Sequence, residues 1–196
     1  MSTCIEDMVN MVDRFLERGD DKGSVGEFIA YLEMQGKVSC GRYLWDLLVP
    51  APPYGQAQVD LLAIHATGLY VVESKNFAGC RLIGTESEEK WKAIYRRSRH
   101  EPKNPILQNE RHIAALRAYL QYPVPMISIV AVGDACALEV PRERCSQAIL
   151  CNYGRLGEAF RLLTARRTPF LEEPDIAMIY RLLYPLTATA REAAKK

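Results

Sequence analysis

Three ionisable residues interrupt two otherwise apolar, β-favouring runs. Asp60 lies in Gln58–Ile64, and Glu73 and Lys75 lie in Leu69–Asn76. Unpaired charge in a buried strand is expensive, and a breach of that rule is expected at functional sites. Two carboxylates converging on one face make a hard, oxygen-rich site for Mg²⁺ or Mn²⁺. A lysine beside them can hold a scissile phosphate or assist a metal-bound water. These are parts for metal-assisted phosphodiester hydrolysis, where a metal acidifies water and screens charge building on phosphorus. A structural Asp/Glu–Lys cluster at a sheet end has the same spacing.

The two runs flank His65-Ala66-Thr67-Gly68 and read as a hairpin. Glu73 and Lys75 are two apart and share a side of the sheet. A loop of Ala66-Thr67 sets Asp60 opposite Glu73; a loop of Thr67-Gly68 sets it opposite Lys75. Either loop puts all three residues on one face, provided no bulge intervenes.

The remaining elements follow from periodicity and punctuation. Met8–Leu16 has helical spacing. A second helix opens near Ser24, with Phe28, Ile29 and Leu32 on one face. Arg42–Val49 reads as a strand, Pro52-Pro53-Tyr54-Gly55 as a loop, and Gly79–Gly84 and Lys92–Tyr95 as shorter strands. Asn104-Pro105 opens a long helix, with Asn as cap and Pro in the first turn, running to about Gln121. Met126–Val132 and Gln147–Cys151 are buried strands, and Tyr153–Leu163 and Pro174–Tyr184 are closing helices. Ala188–Lys196 reads as a fraying helix end or a disordered stub. The order is that of an α/β fold, a mixed sheet with helices packed on it.

The chain has 196 residues, 48% hydrophobic and 25% charged, with a net charge of +1. That fits one soluble domain. We expect an N-terminal helix in 1–22, a single domain over 23–186, and a tail over 187–196. Near-neutral charge leaves no global field for nucleic acid or membrane. No apolar run is long enough for a membrane helix, and the early Glu6 and Asp7 are wrong for a signal peptide. The six cysteines form no C-x-x-C pair and are expected as reduced thiols in a cytoplasmic protein. A Gly-rich phosphate loop, a G-x-S-x-G elbow and H-E-x-x-H are all missing.

The ordered set Gly26-Glu27, Gln58-Val-Asp60, Gly68-Leu-Tyr-Val-Val-Glu73-Ser-Lys75-Asn76, Gly79, Trp91 and Asn104-Pro-Ile-Leu-Gln108 resembles the NERD, or nuclease-related, domain of the PD-(D/E)XK nuclease superfamily. The resemblance runs from about Gly23 to Tyr122 and continues more loosely to the closing helices. It implies a restriction-endonuclease-like α-β-β-β-α-β core. It also implies a Mg²⁺- or Mn²⁺-dependent nuclease acting on nucleic acid, with DNA as the expected substrate. Asp60 and Glu73 would be metal ligands, with the Ser74 carbonyl adding one more. Lys75 would be the catalytic lysine, Glu27 the helix glutamate near the site, and Gln108 the glutamine of the following helix. Leu61 departs from relatives that carry a polar residue there, commonly His.

Several of these residues have a second reading. Ser24-Val-Gly-Glu27 fits a capping box. Gln108 shares a helix face with Arg111 and His112, and that face can meet a phosphate backbone or solvent. Arg96, Arg97, Arg99 and Lys103 are either phosphate contacts or a solvated loop; Arg111 joins them as a nucleic-acid contact. His65 and His112 carry no assigned role. The rival function is a non-cleaving nucleic-acid-binding or protein-interaction module with a nuclease-like fold. Homodimerisation and an unidentified protein partner are both left open.

Overall fold

A computed structural model describes residues 22–38, 41–53, 55–77, 79–141 and 148–194. The expected helix at Met8–Leu16 lies outside them. The first described helix, α1, spans Lys22–Gln35. It begins two residues before Ser24, so Ser24 stands inside the helix and not at the expected N-cap position. Its buried positions are Ala30, Tyr31 and Met34, whereas Leu32 is 44% exposed. The apolar face expected through Leu32 is therefore rotated, because aromatic Tyr31 and flexible Met34 fill the space over the sheet.

Strands β1 (Arg42–Pro50), β2 (Gln56–His65) and β3 (Gly68–Lys75) form an antiparallel meander. Parallel strands β7 (Met126–Val132) and β9 (Ala148–Asn152) complete a five-stranded sheet in the order β1-β2-β3-β7-β9. Between β3 and β7 the chain builds β4 (Arg81–Ile83), β5 (Lys92–Ile94) and β6 (Arg99–His100). It then crosses over through α2 (Pro105–Leu120), the connection a parallel pair requires. The short strands join β8 (Ala137–Glu139) in a separate sheet, β6-β5-β4-β8. The sequence presents β4 and β5 as strands without indicating that they leave the main sheet.

Helices α3 (Tyr153–Ala165), α4 (Glu173–Leu183) and α5 (Ala188–Ala193) close the fold. α2 and α4 cover one face of the main sheet, over Leu44, Leu47, Leu62, Ile64, Leu69 and Val71. α1 and α3 cover the other, over Trp45, Leu61, Ala63, Tyr70, Val72 and Ile129. This is the mixed sheet with flanking helices that the sequence implies. α5 is docked rather than frayed: Thr187 caps it and bridges Leu47 of β1. Cys80, Cys136 and Cys151 are free thiols. Among the described residues, no helix is long and apolar enough to cross a membrane.

Candidate active site

The hairpin pairs His65 with Gly68 and runs to Leu61 opposite Val72, so its loop is Ala66-Thr67. One further step would set Asp60 opposite Glu73, but the strand changes phase there. Leu61 faces α1 and α3 while Val59, two residues earlier, faces α2. Their partners on β1, Trp45 and Leu47, switch in the same way across Asp46, which has a φ of 46°. Alternation requires residues two apart to share a face; here both strands break it together. No residue is inserted in either strand, and the register on both sides of Asp46 and Asp60 is the same. Asp60, at this break, accepts the Ser74 backbone N–H through Oδ2 at 2.8 Å.

Glu73 is on the central strand and has no exposed surface. Its Oε1 lies 2.6 Å from Lys75 Nζ and its Oε2 lies 3.2 Å from His112 Nδ1. Neither oxygen makes a hydrogen bond of normal geometry. Lys75 keeps 23% of its side chain exposed, so its ammonium spans the buried carboxylate and solvent. His112 reaches the site because α2 is pinned in rotation. Fully buried Asn109, one turn earlier, donates Nδ2 to Val71 O (2.9 Å), Ser128 Oγ (2.8 Å) and Ile129 O (3.2 Å). Positions three apart share a helix face, so Asn109 on the β3–β7 backbone brings His112 onto Glu73.

The opposite side is built by α1 and α3. Tyr153, the first residue of α3, shares a 2.7 Å hydrogen bond with Ser74 Oγ. Gly26 passes so close that a Cβ there would clash with Tyr153 Oη and sit 3.0 Å from Ser74 Oγ. This close approach brings neighbouring Glu27 within electrostatic range of Asp60. Burial, reinforced by Glu73 and then Glu27, holds the Asp60 carboxyl well above the usual carboxylate range. The Ser74 N–H and Lys75 oppose this without overcoming it. Burial likewise pushes the Tyr153 phenol up.

The structure thus brings together Asp60, Glu73, Ser74, Lys75 and Glu27. Gln108, Arg111 and Lys103 line a separate cleft at the start of α2. Arg96, Arg97 and Arg99 are exposed on the β5–β6 hairpin of the small sheet, with Arg99 paired to Glu101 at 3.2 Å. The shared helix face of Gln108, Arg111 and His112 therefore divides, with His112 buried against Glu73. Sequence reasoning gave His112 no role and missed Tyr153. The i,i+4 spacing of Gln108 and His112 was the available signal for the first. Tyr153 had none, since it is 79 residues from Ser74.

Among the described residues, no group of three or more His, Cys, Asp and Glu side chains forms a metal cage. The donor chemistry nevertheless fits a hard divalent ion. Two carboxylates share a desolvated space, and the buried Glu73 oxygens lack well-formed hydrogen bonds. A family model for the nuclease-related domain matches residues 22–133. An uncharacterized protein of Bacillus anthracis is 29% identical over 119 residues, covering 60% of this chain and 56% of that protein. The matching region thus spans a little over half of that relative's length. No solved structure gives a significant match.

Proposed function

This chain belongs to the nuclease-related domain (NERD) family, and on that premise we propose that it is a metal-dependent nuclease hydrolysing phosphodiester bonds in DNA. The observation that carries the reading is the gathering of Glu73, Glu27 and Lys75 about the desolvated Asp60, with Lys75 paired to Glu73. Such clustering costs stability in a purely structural role and is useful where a cation and a phosphate must be bound.

Asp60 and Glu73, with the Ser74 carbonyl, would hold Mg²⁺ or Mn²⁺. When bound, such an ion acidifies water and neutralises charge on the phosphoryl oxygens. Lys75, anchored on Glu73, presents its ammonium to the scissile phosphate and orients the attacking water. His112 packs within 3.2 Å of the far oxygen of Glu73 and limits how the carboxylate can turn as Lys75 engages the phosphate. Glu27 lies on the Asp60 side, where its carboxylate can accept a hydrogen bond from water. In-line attack then breaks the P–O bond, and the resemblance implies a 5′-phosphate product.

The test is cleavage of labelled linear and circular DNA with Mg²⁺, Mn²⁺ or chelator. Wild type is compared with Asp60→Asn and Glu73→Ala. Metal-dependent cutting by wild type that both variants lose supports the reading. Cutting retained by Glu73→Ala refutes the role assignment. DNA binding in chelator without any cutting would make the protein a binding module.

A further inference from the structure

The cleft of about 180 Å³ at the start of α2 is lined by none of the residues assigned above to the metal. Its rim is set by backbone pairing. Trp91 N donates to Pro102 O and Asn104 N to Glu89 O, each at 2.9 Å, and Lys90 bridges Lys103. This pairing places two lysines directly opposite each other, both exposed and both lining the cleft. Like charges in that relation repel. Arg111 adds a third cation from α2, and Glu89 is the acid among the lining residues. Neither lysine nor Arg111 has an ion pair among the described residues. With Glu89, they leave the lining net positive, a charge that an entering anion would neutralise.

We propose that this cleft seats a backbone phosphate of the bound DNA strand, next to the phosphate being cut; the assignment rests on the nuclease reading above. Gln108, on the cleft wall, is four residues (roughly 6 Å of helix rise) before His112, which touches Glu73. Cleft and site therefore lie about one turn apart along α2, close enough for one nucleic-acid strand to reach both. The volume is below the roughly 300–1,000 Å³ of small-molecule pockets and is ample for a phosphate group. The lining holds no aromatic ring on which a base could stack. The Gln108 carboxamide can donate to a phosphate oxygen between the cations. The subsite therefore positions the strand without reading sequence.

The experiment measures binding of the full chain to a fluorescein-labelled 16-base-pair DNA duplex in chelator, across a salt series. It compares wild type with Lys90→Gln and Lys90→Gln/Lys103→Gln. Both lysines are exposed, and matched melting temperatures verify folding. The double variant is expected to bind about 10-fold more weakly at moderate salt, with the log–log salt slope shallower by about 1. The single variant is expected to fall between. Unchanged affinity and slope in the double variant, with wild-type metal-dependent cleavage present, overturns the cleft and leaves the nuclease reading standing. A wild type that neither binds nor cleaves DNA overturns both.

Discussion

The Ser74 amide donates to Asp60 Oδ2 across 2.8 Å, so a carboxylate takes up a main-chain donor where the β2–β3 pairing stops. The bond anchors Asp60 while leaving its other oxygen for a ligand. It also brings Asp60 into a desolvated space already occupied by Glu73, which makes the ionised site costly when no cation is present.

Asp60→Asn should therefore stabilise the protein in chelator, because the amide oxygen can still accept from Ser74 while the repulsion is gone. A gain of 1 kcal/mol would raise the melting temperature by about 2–4 °C. The sign for wild type follows from its raised carboxyl. From pH 3.8 up to the folded-state value, the native state holds the extra proton, so stability falls as pH rises through that window. Mg²⁺ should raise the melting temperature of wild type and leave Asp60→Asn unmoved. Equal Mg²⁺ shifts in the two proteins would exclude Asp60 as a ligand.

His112→Ala removes the group facing Glu73 Oε2 and leaves that buried oxygen without its partner. Residues that orient a metal ligand typically contribute 10–100-fold to affinity or activity. Cleavage by the variant should fall by about that factor, and the Mg²⁺ concentration for half-maximal rate should rise. An unchanged Mg²⁺ dependence would show that His112 only fills space.

Gly26→Ala drives a methyl group into Tyr153 Oη and Ser74 Oγ. Overpacking of this kind costs about 1–3 kcal/mol, measurable by urea denaturation. Tyr153→Phe deletes the oxygen that is hit, so the double variant should recover part of the loss, giving a coupling energy of opposite sign. Strictly additive effects would contradict the contact.

His65 supplies a pH dependence away from the site. Burial lowers its pKa below 6.5, and its Nδ1 accepts the Thr67 N–H at 3.2 Å, a role only the neutral ring can fill. Below pH 6.5 the unfolded chain takes up the proton first, so stability should fall as pH drops through that window. His65→Gln should flatten this slope in urea midpoints measured from pH 7 to 5. An unchanged slope would remove His65 as its source.

Elements governed by local chemistry were readable in advance. Asn104 caps α2 by accepting the Ile106 N–H at 2.9 Å, as Asn before Pro implies. The two-residue hairpin loop was one of two options, and pairing of His65 with Gly68 selected it. The expectations that failed depended on distant residues. Ser24 looked like a cap because Glu27 follows at capping-box spacing, yet α1 starts at Lys22. Leu32 looked internal by periodicity, yet the sheet accepted Tyr31 and Met34 instead.

The sequence by itself determined the strands of the main sheet and the helices α1 to α4, the family resemblance, and the presence of Asp60, Glu73 and Lys75 on adjacent strands. Periodicity and turn chemistry act over a few residues and are written in residue types. Only the tertiary structure decided how Asp60 enters the site, because the phase change at Asp46 and Asp60 is shared by two strands. It alone set His112 on Glu73 and Tyr153 on Ser74, and it faced Lys90 with Lys103. Those contacts join segments far apart in the chain. They form only when burial of the sheet faces fixes where each helix sits and how it is rotated.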